Sequence, residues 1–176
     1  MTTQACAAGA PETLHFDYGR TALGTIIAAE SARGVVALLI GDDRARLLRD
    51  LKDAFLEAEL VPDPNGLALT IAKAAALVEA PQLGTDLALD LRGSPLELAV
   101  WKALQAIPSG ETRSYGAIAR ALPIAATAQE VGAACAANRI AVAVPCHRVV
   151  RSDGAIAGYR WGVQRKRRLI NLEGVA

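Results

Sequence analysis

The sequence predicts an α+β fold in two lobes, a small α/β lobe followed by a mainly helical one. Short runs rich in β-branched residues crowd the chain up to Gly41, and beyond it apolar residues recur at helical spacing. Charge divides the chain further on, near residue 92. Residues 1–92 hold 8 Lys and Arg against 13 Asp and Glu, net −5, whereas residues 93–176 hold 11 against 5, net +6. On charge alone this fits two solvated faces of opposite sign as well as a polyanion meeting one side only.

With 176 residues, 52% hydrophobic and 21% charged, the chain can bury a core and is excluded from the disordered class. Aromatics are 4%, so that core is built from Ala, Leu, Val and Ile. No apolar run approaches the roughly 18 residues of a membrane span. The start, MTTQACAAGA, lacks the basic head and apolar stretch of a secretory signal. Cys6, Cys135 and Cys146 cannot pair completely and have no zinc-ligand spacing, so a reducing, cytoplasmic compartment and no metal site are expected. The expected division is a flexible N-terminus over 1–10, an N-terminal α/β lobe over 11–92 and a C-terminal lobe over 93–176.

LHFDYGRT, LGTIIAAES and GVVALLIG, punctuated by Gly and by Ala-Arg-Gly at 32–34, read as a strand meander. In DDRARLLRDLKDAFLEAEL the period changes, and Leu47, Leu48, Leu51, Phe55 and Leu56 fall on one helical face until Pro62, Pro64, Asn65 and Gly66 break it. LALTIAKAAALVEA reads as a second helix ended by Pro81, and LALDL as another strand. No chemistry is visible in this half.

Ser94, Pro95 and Glu97 form a capping box with proline where its missing N–H costs least. The helix they open carries Leu98, Val100, Trp101 and Leu104 and stops at Pro108-Ser109-Gly110. SYGAIARAL is a short helix interrupted by Pro123, and TAQEVGAACAANR follows with Thr127 and Glu130 spaced for another capping box. Together they read as a helix-turn-helix. Gly132, Ala133, Ala134, Ala136 and Ala137 let the second helix approach another surface, a packed neighbour or a ligand, closely.

IAVAVPCHRVV carries the clearest chemical signal. A strand-like apolar run ends at Pro145, which would present the Cys146 thiol at a site edge. A free thiol has a pKa of about 8.5, so nucleophilic use needs a nearby base or cation. His147 and Arg148 could supply these, although neighbours on a strand point to opposite faces, so that a turn or a water must bring the imidazole into reach. Cys6 and Cys135 read as small buried hydrophobes or inert thiols. RSDGAIAGYRWG is a loop with Tyr159, Arg160 and Trp161 between glycines, a place for a flat ligand or an aromatic anchor. The run Arg165, Lys166, Arg167, Arg168 closes the basic half and raises the prospect of phosphate contact.

PCHRVV, with SYGAIARAL and CAANR before it and GYRWGVQRKRRLINLEG after it, resembles the O6-alkylguanine-DNA alkyltransferases, and among them the C-terminal domain of bacterial adaptive-response proteins. The close resemblance runs from about Leu91 to Gly174; earlier residues match more loosely through IGDD and LDLRG. It implies a ribonuclease-H-like N-terminal lobe and a winged-helix-like C-terminal lobe. It also implies irreversible transfer of an alkyl group from O6 of guanine, and secondarily O4 of thymine, to Cys146. By the same resemblance His147 acts through a water as general base oriented by Glu173, Asn138 holds the turn bearing the cysteine, and Tyr115 donates a proton as guanine leaves. Val149, Gly158, Tyr159, Arg160 and Lys166 would line the base pocket.

Duplex contacts would come from Thr127, Ala128, Gln129, Gly132, Ala133, Arg139, Arg148 and Arg151, with the second helix in the minor groove and the lesion flipped out. The implied partner is double-stranded DNA carrying O6-alkylguanine, bound by a monomer in the cytoplasm near the nucleoid, with no cofactor and no membrane. The family's flipping arginine is replaced by Gln129, which lacks the fixed charge and planar fork, and Glu130 follows it. The rival readings are a lesion sensor, whose relatives replace the cysteine that this chain keeps, and a thiol hydrolase, which leaves the basic half unexplained.

Overall fold

The structure, a computed structural model, describes residues 10–174. The expected flexible N-terminus, with Cys6, lies outside the described residues except for Ala10. Strands β1 (Thr13–Thr21), β2 (Gly24–Ser31) and β3 (Gly34–Gly41) form the expected antiparallel meander. The β2–β3 turn depends on Gly34: its φ is +142°, and a Cβ there would lie 2.5 Å from the Ala88 carbonyl oxygen. Helix α1 (Arg44–Ala54) is capped by Asp43, whose carboxylate accepts from Ala45 and Arg46 N–H.

That helix ends earlier than its apolar period suggests. Leu47 and Leu51 are buried, but Leu56, expected on the same face, is 82% exposed. Glu59–Pro62 leaves the helix to become β4, which pairs in parallel with β1. The free edge of β1 accounts for this: Glu59 N–H donates to Glu12 and Asp63 N–H donates to the Phe16 carbonyl. These long-range bonds satisfy backbone groups that another helical turn would have satisfied locally. Pro62 sits at the end of the strand, where its lack of an N–H is tolerated. The sheet order is β3-β2-β1-β4. Helix α2 (Ala68–Glu79) packs on β1 and β2 and ends before Pro81. LALDL is not the strand expected; only Leu89 bridges, to Val35.

Strand β3 positions the site. It is the outer strand of the sheet, yet Gly34–Ile40 is buried throughout. Its outer edge is covered twice. Val35 exchanges hydrogen bonds with Ala88 and Asp90, and Leu38 exchanges them with Arg139 and Ala141 at 2.8 Å each. The segment leading into Cys146 is therefore attached to the four-stranded sheet through its backbone.

In the C-terminal half, α3 (Pro95–Gln105) carries the expected Ser94–Glu97 capping box, and Trp101 Nε1 donates to the Ala134 carbonyl of α5 (Ala128–Ala137) at 2.9 Å. Helix α4 (Tyr115–Ala121) is capped by Ser114 and α5 by the Thr127–Glu130 box. Two-residue strands β5 (Arg113–Ser114) and β6 (Val149–Val150) pair in parallel. The last helix, α6 (Val163–Leu172), joins the halves: Arg165 donates to the Leu23 carbonyl and Asp42 at 2.6 Å each, and Arg168 donates to the Ala22 carbonyl at 3.1 Å. The basic run is divided by the fold: Arg165 is tied to the first half, Lys166 is wholly buried, and Arg167 and Arg168 are exposed, Arg168 while donating to Ala22. Among the described residues no helix is long and apolar enough to cross a membrane.

Candidate active site

The run before Cys146 is not the strand expected from its valines. After the β3 contact at Ile140 the chain makes two tight turns in succession. Ala143 N–H donates to Ala141 across Val142, whose φ is +66°, a conformation β-branched residues rarely adopt. Cys146 N–H then donates to Val144 across Pro145 at φ −82° and ψ 60°, an inverse γ-turn that proline's fixed φ favours. Cys146–Arg148 form a single 3-10 turn closed by Arg148 N–H to Pro145 and Val149 N–H to Cys146. The turn, not a strand, sets the directions of Cys146 and His147.

Asn138, at the C-cap of α5 and 1% exposed, holds these turns together. Its Oδ1 accepts from Ile140 N–H at 2.9 Å, and its Nδ2 donates to the Val144 carbonyl at 3.0 Å and to Cys146 Sγ at 3.3 Å. The sulfur is the acceptor in that last contact, so it favours thiolate. Burial opposes it: Cys146 is 3% exposed, and burial pushes its thiol above the ordinary range despite Asn138, Lys166 and Arg160. The acceptor sulfur therefore rests as a thiol, and its proton must be removed during any reaction.

His147 is wholly buried, and its Nε2 lies 3.0 Å from Glu173 Oε1. Glu173 also receives Arg148, through Nη2 at 2.6 Å and Nε at 3.1 Å. Burial alone would raise the Glu173 carboxyl, but bonds from His147 and Arg148 bring it down to about 2. The carboxylate has no proton to offer, so Nε2 carries the hydrogen and Nδ1 presents its lone pair. Burial outweighs the carboxylate at His147 and holds the imidazole below its ordinary pKa, hence neutral. A neutral imidazole with a fixed tautomer, backed by a carboxylate, is the arrangement of a general base.

Arg148 overturns two expectations at once. Its guanidinium spans Glu173 and the Ile107 carbonyl, at 2.7 Å, and is 11% exposed. It is neither a cation for the Cys146 thiolate nor a phosphate contact. The turn sends it to Glu173, where it offsets the charge that this carboxylate places at the C-terminal end of α6.

The cations that favour the thiolate from a distance are Lys166, wholly buried on α6, and Arg160. Lys166 Nζ donates to the Gly158 carbonyl at 3.4 Å and stands 5.9 Å from the Tyr115 ring centre. Burial lowers its pKa while the Cys146 and Cys135 sulfurs raise it. Tyr115 is brought to the site by the β5–β6 pair, and burial pushes its hydroxyl up to about 12, so it stays a proton donor. Cys135, likewise pushed to about 12 by burial, is inert as expected. Val149 is fully buried in β6, and Tyr159 packs edge-on to Trp161 at 5.2 Å. Arg160 is exposed and donates to the Ala136 carbonyl at 3.1 Å.

The residues expected at the duplex are divided by the structure. Gln129, Ala133 and Ala136 form an exposed stripe along α5, flanked by Thr127 and Ala128. Gly132 is half-buried against the Tyr115 ring. Glu130 is committed to its cap, accepting from Thr127 N–H at 2.7 Å and Thr127 Oγ1–H at 2.9 Å. Arg139 lies over the Phe55 ring at 5.6 Å, and the exposed Arg151 pairs with Asp153 at 3.6 Å. Sequence reasoning missed Leu38 as the backbone anchor of the site, and it placed Lys166 in the base pocket without an electrostatic role toward the sulfur. No local signal marks either. Among the described residues no group of three or more His, Cys, Asp or Glu is placed to hold a metal ion.

This fold and site define a protein with a buried thiol backed by a histidine–carboxylate pair, beside a helix-turn-helix. Residues 95–175 match the family model described as the DNA-binding domain of 6-O-methylguanine DNA methyltransferase. The chain is 44% identical over 112 residues to a methylated-DNA–protein-cysteine methyltransferase of Mycobacterium tuberculosis, covering 64% of this chain and 68% of that protein. Its fold matches the crystal structure of the M. tuberculosis O6-methylguanine methyltransferase with a TM-score of 0.74 at 33% identity, over 91% of this chain and 92% of that one. A structure of the M. tuberculosis protein in complex with DNA gives 0.73 at 34% identity, over 90% and 92%. The chain belongs to the methylated-DNA–protein-cysteine methyltransferase family. It is also 42% identical over 151 residues to the bifunctional transcriptional activator and DNA repair enzyme Ada of Escherichia coli, covering 86% of this chain but spanning only 43% of that protein.

Proposed function

We propose that this chain repairs DNA by moving an alkyl group, typically methyl, from O6 of guanine, and secondarily O4 of thymine, onto Cys146. The observation that carries this reading is the Cys146 thiol held by Asn138 beside a neutral imidazole that Glu173 orients. The thiol proton passes through a water to His147 Nδ1. The sulfur attacks the alkyl carbon, the S–C bond forms as the C–O bond breaks, and the departing guanine takes its proton from Tyr115. The imidazolium left behind is stabilised by Glu173 at 3.0 Å. A thioether has no good leaving group, so each molecule reacts once.

The target atom is unreachable inside a duplex, so the base is flipped into the space between α5 and the Gly158–Arg160 loop. The exposed stripe of Gln129, Ala133 and Ala136 suits close approach to the minor groove, with Thr127 and Ala128 at the helix start. Arg139, Arg151 and Arg160 supply positive charge around it, Val149 and Tyr159 wall the base pocket, and Lys166 faces the reacting sulfur. In this reading the protein acts as a cytoplasmic, nucleoid-associated monomer with lobes dividing near residue 93. The sheet order with β1 parallel to β4 supports a ribonuclease-H-like description of the first lobe, and α4–α5 beside the short β5–β6 pair supports a winged-helix-like second.

The test is to saturate the protein with duplex carrying O6-methylguanine, digest with trypsin and weigh the peptide IAVAVPCHR. One added methyl per polypeptide is expected, and none in Cys146→Ala. An unmodified peptide, or more than one methyl transferred per chain, removes the reading.

A further inference from the structure

Two buried side-chain polar atoms among the described residues have no protein hydrogen-bond partner, His147 Nδ1 and the Tyr159 hydroxyl. Their hydrogen-bonding characters are opposite. Nδ1 is an acceptor, because Nε2 donates to the Glu173 carboxylate. The Tyr159 hydroxyl is a donor, held protonated by burial. Both belong to one packed region: His147 follows Cys146 in the 3-10 turn, and Tyr159 packs against the buried core that includes Cys146. The Tyr159 ring is braced by Trp161, itself buried, so the hydroxyl has a set position. Buried donors and acceptors are rarely left unmet, and a buried water typically makes about 3 hydrogen bonds.

We infer that Tyr159 is a positioning residue: its hydroxyl and His147 Nδ1 jointly hold the water that carries the Cys146 proton to the imidazole. This rests on the alkyl-transfer reading and adds to it. The water accepts from Tyr159 Oη–H and from the Cys146 thiol, and it donates to His147 Nδ1. As the sulfur gives up its proton to the water, the water passes one of its own to Nδ1. The net products are thiolate and imidazolium, and Tyr159 keeps its proton throughout. The tyrosine thereby fixes the relay's direction, since a water held by His147 alone could turn away from the sulfur.

The charged and titratable groups around this relay are Lys166, Arg165 and Glu173 from α6, Arg148 from the turn, Cys135 from α5, Tyr115 from α4 and Arg160 from the loop. All remain in Tyr159→Phe, so a change in pH response is traced to the hydroxyl. The experiment measures alkylation of Cys146 by iodoacetamide across pH, read as the mass of IAVAVPCHR, together with single-turnover methyl transfer from duplex O6-methylguanine. Tyr159→Phe is expected to slow both by about tenfold and to move the pH midpoint of the iodoacetamide reaction upward. With His147→Asn already in place, adding Tyr159→Phe is expected to cost nothing more, because the two residues share one water.

If duplex transfer slows while the iodoacetamide profile stays put, Tyr159 merely packs against the base and the inference is overturned. Additive losses in the double variant overturn it too. Should the Phe variant melt early, Tyr159→Gln keeps a donor at this position; retention of the wild-type pH midpoint is then expected, and its loss refutes the relay. Failure of the wild-type protein to accept methyl from DNA would instead strike the alkyl-transfer reading, which the iodoacetamide measurements do not depend on.

Discussion

Replacing Glu173 by glutamine keeps the side chain's volume and removes one charge from the centre of the site. The lost carboxylate accepts from His147 Nε2 at 3.0 Å and from Arg148 at 2.6 and 3.1 Å, and its side chain is fully buried. Arg148, 11% exposed, would keep only the Ile107 carbonyl as a firm partner. Removing one member of a buried ion pair costs about 3–5 kcal/mol, because the other charge is left uncompensated. At about 2–4 °C per kcal/mol for a chain of this size, the melting temperature at neutral pH should fall by roughly 6–20 °C. The pH dependence has a definite sign. The Glu173 carboxyl lies lower when folded than when unfolded, so its contribution is complete above its ordinary value of 4.5 and is lost as pH falls toward about 2. His147, buried neutral, acts in the same direction from its ordinary 6.5 downward. Thermal melts of both proteins from pH 7 to pH 2.5 should therefore converge on acidification. Single-turnover methyl transfer should also slow, on the order of 10²–10⁴-fold, as the imidazole loses its orientation and its counter-charge. Equal melting temperatures at pH 7, or a gap that widens in acid, would refute this account of the network.

Lys166→Met removes a buried cation whose hydrogen bond is the 3.4 Å contact to Gly158. Its melting temperature is expected to match or exceed the wild-type value, since apolar replacement of a buried charge is commonly neutral or stabilising, while transfer slows at least about tenfold. A lower melting temperature with unchanged transfer would make Lys166 a purely structural residue. Gln129→Arg, exposed near the start of α5, is expected to speed transfer from duplex DNA and to leave reaction with free O6-methylguanine base nearly unchanged; equal acceleration of both, or of neither, counts against a flipping role.

Some of the site is legible because its causes are local. Ser94 with Glu97 and Thr127 with Glu130 cap their helices within a few residues of themselves, and the structure has both of them. PCHRVV identifies the thiol and its histidine as a unit because a 3-10 turn is itself a short-range object. Where the reading of residues alone went astray, distant partners had intervened. Val and Ile before Pro145 look like a strand, but that segment needs only one bridge to β3 before Asn138 folds it into turns. ELVP looks like the tail of a helix until β1 offers it an edge. The basic run at 165–168 looks like four equivalent phosphate contacts until Leu23 and Asp42 claim Arg165 and the core claims Lys166.

The sequence by itself determined the mixed α+β plan, the helix starts that carry their own capping boxes, and the motif that pairs a thiol with a histidine. Only the tertiary structure decided that Arg148 serves the Glu173 carboxylate, that the segment before Cys146 is bonded to the outer edge of β3, and that burial raises the thiol's pKa. The physical reason is range. Capping and turn formation are settled among neighbours in the chain, whereas desolvation and charge pairing depend on side chains such as Lys166 and Glu173, which reach Cys146 and His147 only once α6 has docked.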